Sequence, residues 1–521
     1  MEVQPGKNPL ALLRMPPFPA ARPRARPTLR KRGSWTGPGL SRDEIGAVAA
    51  QIAEARVGGS FWKSACVDKQ RSPGLLGVGG ASARHDPWPR IEADAPIVAH
   101  VDDEIALLAT AAGRPVLQPD DRRPYSHETL LHTLYDRLRA FDYFDPWTGQ
   151  RVTVSRWIEI LGEWRHIIDR NREIAVVCGI AGWKRPVVGK FLWAGETARF
   201  SKQPPKVRPP AEKAVAVWPS RVKCAAREQA RASTGRLIQI EDGFIRSAGL
   251  GARLTPPLSI VVDHTGIYYD PRTPSDLEQI LADAELGQEL CARAAKLIDF
   301  VTRHGITKYA AASSTGVRLP AAGRKILVAG QVADDRSVRL GCATVTGPLD
   351  LLRRVREAEP DAFIVFKPHP DVVAGLRQGH LPATEAERYV DLILPHAPID
   401  ALLAEVDAVH VLSSLTGFEA LLRGREVTTH GHPFYAGWGL TRDLAPPIGR
   451  RGRALTLEQL VAATLILYPR YLDPVTRLPC PPEILAHRLS TGSMPKPGLL
   501  QKLRTLQGYV HNARRASVKR Q

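Results

Sequence analysis

Beyond residue 213 the chain alternates short apolar runs with amphipathic stretches. Residues 214–218 (Ala-Val-Ala-Val-Trp) read as a buried strand, 223–232 as a helix and 237–240 (Leu-Ile-Gln-Ile) as the next strand. The apolar runs 259–263 and 266–270 flank a short turn and predict a hairpin, and Ser275 with Glu278 three residues later has the spacing of a capping box. A second series starts at 325–329 (Lys-Ile-Leu-Val-Ala), passes through a helix near 348–358, and continues with strands at 363–366 and 408–411. Strand–helix alternation of this kind is α/β, and two series in succession predict two Rossmann-like halves facing a cleft, residues 213–324 and 325–490.

Upstream the pattern changes. Residues 154–195 read as two helices carrying Trp157, Trp164, Trp183 and Trp193, aromatics whose spacing suits packing. The Pro- and Lys-rich stretch 201–212 marks a boundary, so 43–200 is expected to be a mostly helical N-terminal region. Residues 1–42, rich in Pro and Arg, are expected to form a disordered basic tail. Part of this region resembles a later one. Glu104-Ile-Ala-Leu-Leu108 followed by Gly113-Arg-Pro-Val116 parallels Glu419-Ala-Leu-Leu422 followed by Gly424-Arg-Glu-Val427. Glu128-Thr-Leu-Leu131 leading to Phe144-Asp-Pro-Trp-Thr148 parallels Glu458-Gln-Leu-Val461 leading to Leu472-Asp-Pro-Val-Thr476. Such self-similarity predicts the tail end of a duplicated module, without a counterpart of the Lys-Pro-His-Pro turn described below.

Length and composition bound the rest. At 521 residues the chain has room for two or three domains, and its net charge of +19 predicts an anionic neighbour, whether nucleic acid, lipid head groups or a phosphorylated substrate. The six cysteines are far apart with no Cys-x-x-Cys pair, against a zinc site or disulfide framework and in keeping with a reducing compartment. No apolar run reaches the length of a membrane span and residues 1–35 lack a signal-peptide core, so a cytoplasmic location is expected.

Four turns at predicted strand ends would line the cleft: Glu241-Asp-Gly243, Gly330-Gln-Val-Ala-Asp-Asp335, Lys367-Pro-His369, and Ser413-Ser414 with Glu419. The first two supply carboxylates, which can handle an anomeric carbon and an acceptor proton. The last two supply donors for phosphate, helped by the positive end of the helix opening after Ser414, while Glu419 could reach ribose hydroxyls. No Asp-x-Asp pair sits beside histidines at metal-ligand spacing, so neither metal nor cofactor is expected.

These turns carry a family resemblance. Glu241-Asp-Gly-Phe-Ile-Arg-Ser-Ala-Gly-Leu-Gly251, Gly330-Gln-Val-Ala-Asp-Asp335, Lys367-Pro-His-Pro-Asp-Val372, Ser413-Ser-Leu-Thr-Gly-Phe-Glu-Ala-Leu-Leu422 and Pro433-Phe-Tyr-Ala-Gly-Trp-Gly-Leu440 occur in one order. Residues 213–490 thereby resemble the KpsC-type bacterial capsular-polysaccharide β-Kdo transferases, with one complete module in place of the family's two. The resemblance implies a GT-B-like fold and retaining transfer of β-Kdo from CMP-β-Kdo to a Kdo/phosphatidylglycerol lipid acceptor. It maps the nucleophile to Asp335 and the acid/base to Glu241 or Asp242. It places Gly243, Arg246, Gln331, Lys367, His369, Ser413, Ser414 and Glu419 around substrate and nucleotide. Ala333 stands where close relatives carry an acid. The implied partners are the nucleotide sugar, a lipid-linked acceptor at the inner face of the cytoplasmic membrane and other capsule biosynthesis or export proteins, with no nucleic acid. Two other readings are another CMP-sugar transferase of sialyltransferase type, and a non-catalytic anion- or membrane-binding scaffold. Finally, residues 491–521 place Leu499, Leu500, Leu503, Leu506 and Val510 at helical spacing among Lys and Arg, which predicts a basic amphipathic membrane-surface segment.

Overall fold

The computed structural model describes residues 11–30, 40–64, 85–205, 209–210, 212–246, 255–308, 316–321, 323–332, 334–342, 345, 347–373 and 381–494. The expected amphipathic segment at 491–521 thus lies, from residue 495 on, outside the described residues. Two compact units are present: Met1–Ile174 with Leu192–Ala198 and Val475–Pro479, and Ala175–Phe191 with Arg199–Pro474 and Cys480–Gln521.

The first unit is built around tryptophans. Trp157 and Trp164, on the helix Val154–Arg172, are buried with Trp147. Their indole N–H groups find acceptors, Trp157 on Leu13 O at 2.9 Å and Trp164 on Pro479 O at 3.0 Å. Phe18 packs edge-on against Trp164, and Leu12, Leu13 and Phe18 are all buried. Residues 11–30 therefore do not follow the disordered-tail expectation: three buried apolar residues, the Arg14–Glu104 ion pair and the pairing of Thr28–Leu29 with Phe141–Phe144 seat the stretch.

The second unit contains two sheets. In one, strands run in the order Pro479–Cys480, Pro469–Leu472, Ser259–Asp263, Leu237–Asp242, Ala214–Val217, Ile174–Cys178, Phe200–Ser201, with Ser259–Asp263 antiparallel to both neighbours. The other is all-parallel in the order Leu392–Ile393, Phe363–Lys367, Lys325–Ala329, Ala408–Val411, Glu426–Thr429, Arg442–Asp443. Its central strands are buried apolar runs, as a parallel sheet covered on both faces demands.

Two local expectations fail here. The run 266–270 makes no hairpin; Ser259–Asp263 pairs with Leu237–Asp242 instead. The cause is Asp263, whose carboxylate accepts from the backbone N–H of Thr265 (3.0 Å), Gly266 (2.7 Å) and Asp276 (3.1 Å) and so closes the chain into a loop. Ser275 does cap the helix Asp276–Asp283 by accepting from Glu278 N, but the Glu278 carboxylate is taken by Arg450 at 2.6 Å and Arg451 at 3.0 Å. A charge-assisted pair with two arginines outweighs the reciprocal cap bond.

Candidate functional site

The carboxyl ends of strands from both sheets of the second unit open onto one cleft of about 1500 Å³. Glu241, Asp242, Gln331, Asp335, Lys367, His369, Ser413, Ser414 and Glu419 all line it. Gly243 and Arg246 do not. Gly243 lies where a Cβ would sit 2.3 Å from Ser259 Oγ, so a glycine lets the two strands close behind the acidic turn. Arg246 is 1% exposed. Its Nε donates to Asp242 Oδ2 at 2.7 Å and Nη2 to Thr255 O at 3.1 Å, which makes it a buried partner of the acidic turn rather than a cleft-lining group.

The acidic corner holds two adjacent carboxylates in different electrical settings. Burial and the neighbouring Asp242 charge push Glu241 up to about 7. Asp242 is also pushed up by burial, but Arg246 and Lys184 outweigh it and hold the group below its ordinary value. Lys184 Nζ lies 3.2 and 3.4 Å from the two Asp242 oxygens. Tyr268 faces the corner, with Glu241, Asp242 and Asp335 all raising its hydroxyl in addition to its burial. Asp335 stands at the N-cap of the helix Arg336–Gly341, its Oδ1 accepting from Ser337 N at 3.1 Å.

The ends of the parallel strands add donors to the cleft. Strand register sets Ala329 beside Lys367, and Gly330 N donates to Lys367 O at 2.8 Å, so the two turns leave the sheet together. His369 Nδ1 accepts from Asp371 N at 3.1 Å, which puts the proton of the neutral ring on Nε2. Burial lowers the Lys367 ammonium from its ordinary value. Gln331 locks the neighbouring turn: its Oε1 accepts from Ser413 N at 2.9 Å and its Nε2 donates to Ser413 Oγ at 3.3 Å. Ser414 caps the helix Leu415–Leu421 through Thr416 N at 3.2 Å. The Ser414 carbonyl accepts from Tyr435 Oη, an approach open only because position 417 is glycine, where a Cβ would lie 2.2 Å from that hydroxyl.

Glu419 is 8% exposed and raised by burial, and its Oε1 accepts from Lys308 N at 2.8 Å. The Lys308 carbonyl accepts from Arg246 N at 3.0 Å, so one peptide ties the helix of Glu419 to the segment behind the acidic turn. Among the described residues no group of three His, Cys, Asp or Glu side chains could hold a metal ion, and no helix is long and apolar enough to cross a membrane.

Residues 213–471 match the family model described as capsule polysaccharide biosynthesis protein. The lipopolysaccharide-processing protein LpsZ of Rhizobium meliloti is 35% identical over 327 residues, covering 60% of this chain and 72% of that protein. The chain belongs to the capsule polysaccharide biosynthesis family, of KpsC type. Another family member, the capsule polysaccharide modification protein LipA of Neisseria meningitidis serogroup A, is 40% identical over 371 residues, 69% of this chain and 51% of that protein. The chain thus spans about half the length of the LipA relatives it matches. Two solved structures from Thermosulfurimonas dismutans KpsC are also similar. Its β-Kdo 2,7 transferase is 31% identical with a TM-score of 0.50, covering 62% of this chain and 100% of that one. Its β-Kdo 2,4 transferase is 33% identical with a TM-score of 0.52, covering 60% and 97%. The whole cleft of this family member lies within the 213–471 match.

Sequence reasoning gave Lys184, Lys308 and Tyr268 no role in the site. Tyr268 was hidden by the hairpin expectation. Lys184 was hidden because the strand Ile174–Cys178 sits inside a stretch that reads as helical. Its four-residue apolar core, Ile174-Ala-Val-Val177, was the available signal.

Proposed function

We propose that the protein is a retaining glycosyltransferase that moves β-Kdo from CMP-β-Kdo to a Kdo/phosphatidylglycerol lipid acceptor in capsular polysaccharide biosynthesis and export. The observation that carries this is one cleft lined both by Glu241 and Asp242 at the end of one sheet, their carboxyls shifted in opposite directions, and by the phosphate-type donors Lys367, His369, Ser413 and Ser414 at the ends of strands of the other. The similarity to the structures of two β-Kdo transferases supports the sugar. In this reading the two sheets are the halves of a GT-B fold.

The reaction runs in two displacements. Asp335 attacks the anomeric carbon, its carboxylate oxygen bonding to the sugar as the bond to the CMP phosphate breaks and the electron pair leaves with CMP. His369 Nε2–H and Lys367 neutralise that phosphate. The acceptor hydroxyl then attacks the same carbon and gives its proton to Glu241, while the bond to Asp335 breaks, so two inversions give net retention. Glu241, held near neutrality, suits this exchange better than Asp242, whose oxygens are bound by Lys184 and Arg246. The protein meets its acceptor at the inner face of the cytoplasmic membrane, as a peripheral protein alongside other capsule biosynthesis and export proteins.

Incubation with CMP-Kdo and a short Kdo-terminated lipid acceptor, followed by mass and linkage analysis, tests the function. A product longer by one β-linked Kdo is expected. Transfer from CMP-sialic acid in its place, or binding of CMP with no transfer from either donor, would overturn it.

A further inference from the structure

The strand Ile174–Cys178 and the turn after it lie outside the 213–471 match, yet they bring a cation to the acidic corner. Trp218 N donates to Cys178 O at 3.0 Å, which seats this turn beside the end of the strand Ala214–Val217. Lys184, in the short helix Gly182–Lys184, then reaches both oxygens of Asp242 at 3.2 and 3.4 Å with a side chain only 13% exposed. Its ammonium lies 3.9 Å from the centre of the Trp218 ring. An indole face on one side and a carboxylate on the other fix a flexible side chain in one place.

We propose that Lys184 is a positioning residue of the transfer reaction: it clamps Asp242 and thereby leaves Glu241 as the group that exchanges a proton with the acceptor. This rests on the acid/base reading of Glu241 given above. Asp242 is gripped from two sides, by Lys184 and by Arg246 at 2.7 Å. Glu241 instead accepts from the Asp242 backbone N–H at 3.1 Å and, among the described residues, has no cation of its own at bonding distance. The charged and titratable groups facing the pair are Lys184, Arg246, Lys308, Tyr268 and Tyr269, with Asp335 also facing Tyr268. Lys184 lowers both carboxylates, so removing its charge raises both. A lysine that served the fold alone would change stability without moving the proton exchange of Glu241.

The test is transfer rate against pH for the full chain and for Glu241→Gln, Lys184→Met and Lys184→Arg, with CMP-Kdo and a soluble Kdo-terminated acceptor. Glu241→Gln is expected to remove the acid limb. Lys184→Met is expected to move that limb to higher pH by about one unit or more and to lower kcat with little change in the donor KM. Lys184→Arg is expected to leave the limb where it is. An acid limb of Lys184→Met at the wild-type pH, or a rise in KM in place of a fall in kcat, overturns the proposal. Should Lys184→Met not fold, Lys184→Gln, which keeps a donor without the charge, takes its place. If both neutral variants fail to fold while Lys184→Arg folds, the lysine is a structural counter-ion and the proposal falls. Retention of the acid limb by Glu241→Gln would refute the acid/base reading itself, independently of Lys184.

Discussion

Residues 97–146 of the first unit and 408–474 of the second share a run of elements, to which the second adds the strand Arg442–Asp443 and the π-helical stretch Ala462–Leu467: two parallel strands with a helix between them, a capped helix, a strand, and an Asp-Pro turn. In the first, Ile97–Val98 pairs with Val116–Leu117 around the helix Glu104–Ala111, and Ser126 caps His127–Arg139 before the strand Phe141–Phe144. In the second, Ala408–Val411 pairs with Glu426–Thr429 around Leu415–Leu421, and Thr456 caps Leu457–Val461 before Pro469–Leu472. The glutamates that correspond in sequence have different company. Glu104 is bound by the Arg14 guanidinium at 2.7 Å, whereas Glu419 is raised by burial and accepts from a backbone N–H at the cleft. The arginine partner occupies the Glu104 carboxylate, whereas at Glu419 burial outweighs the Lys308 amide and the Arg423 and Lys308 charges and keeps the carboxyl raised. Much of the order of elements is shared, then, and the proposed chemistry rests in turns that only one region carries.

Substitutions in the cleft should therefore cost activity, and those in the first unit stability alone. The largest effect is expected of Asp335→Asn, since asparagine caps a helix as well as aspartate and removes only the proposed nucleophilic carboxylate. Transfer should fall by about a thousandfold or more with the unfolding midpoint unchanged, as single-turnover assays and denaturant titration would show. Next comes Glu241→Gln, expected to slow transfer about a hundredfold or more and to abolish the rise in rate as pH climbs through neutrality. His369→Ala should weaken CMP binding in calorimetry by about tenfold, the worth of one hydrogen bond to a charged group. Undiminished affinity would move the phosphate elsewhere.

Two smaller effects concern stability. His410 and His430 are buried with Nδ1 and Nε2 3.2 Å apart, and burial lowers them to about 3 and about 4. Both are neutral when folded, while the unfolded chain protonates them near 6.5. The folded pKa is below the unfolded one, so their contribution is full above pH 6.5 and is lost as pH falls towards 4, at about 1.4 kcal/mol per pH unit for each. Urea unfolding between pH 7 and 5 should show this loss, and His410→Gln should reduce it. At the small end, Ser126→Ala removes the cap bond to Thr129 N and should cost about 1 kcal/mol with transfer unchanged. A loss of transfer there would break the division between the two regions.

Much of the second unit was legible because parallel strands are continuous apolar runs and their turns concentrate acids, His-Pro and Ser-Ser. The register of Lys325–Ala329 with Phe363–Lys367 then brings those turns together without further information. What was illegible depended on partners distant in sequence. Asp263 turned an apparent hairpin into the loop that delivers Tyr268. Arg450 and Arg451, some 172 residues away, took Glu278 from its expected cap. Apolar periodicity could not show that Ile174–Cys178 belongs with the strands after residue 213, and so concealed Lys184. Composition also concealed Leu12, Leu13 and Phe18, because an average over a Pro/Arg-rich stretch dilutes single anchors.

The most direct test of the central claim, that this cleft forms a covalent bond to the sugar through Asp335, is mass spectrometry of the intact protein mixed with CMP-Kdo while acceptor is withheld. One Kdo is expected on the protein, mapped after proteolysis to the peptide containing Asp335 and absent from Asp335→Asn. A protein that transfers Kdo yet never carries the adduct, or an adduct of equal yield in Asp335→Asn, would contradict the account.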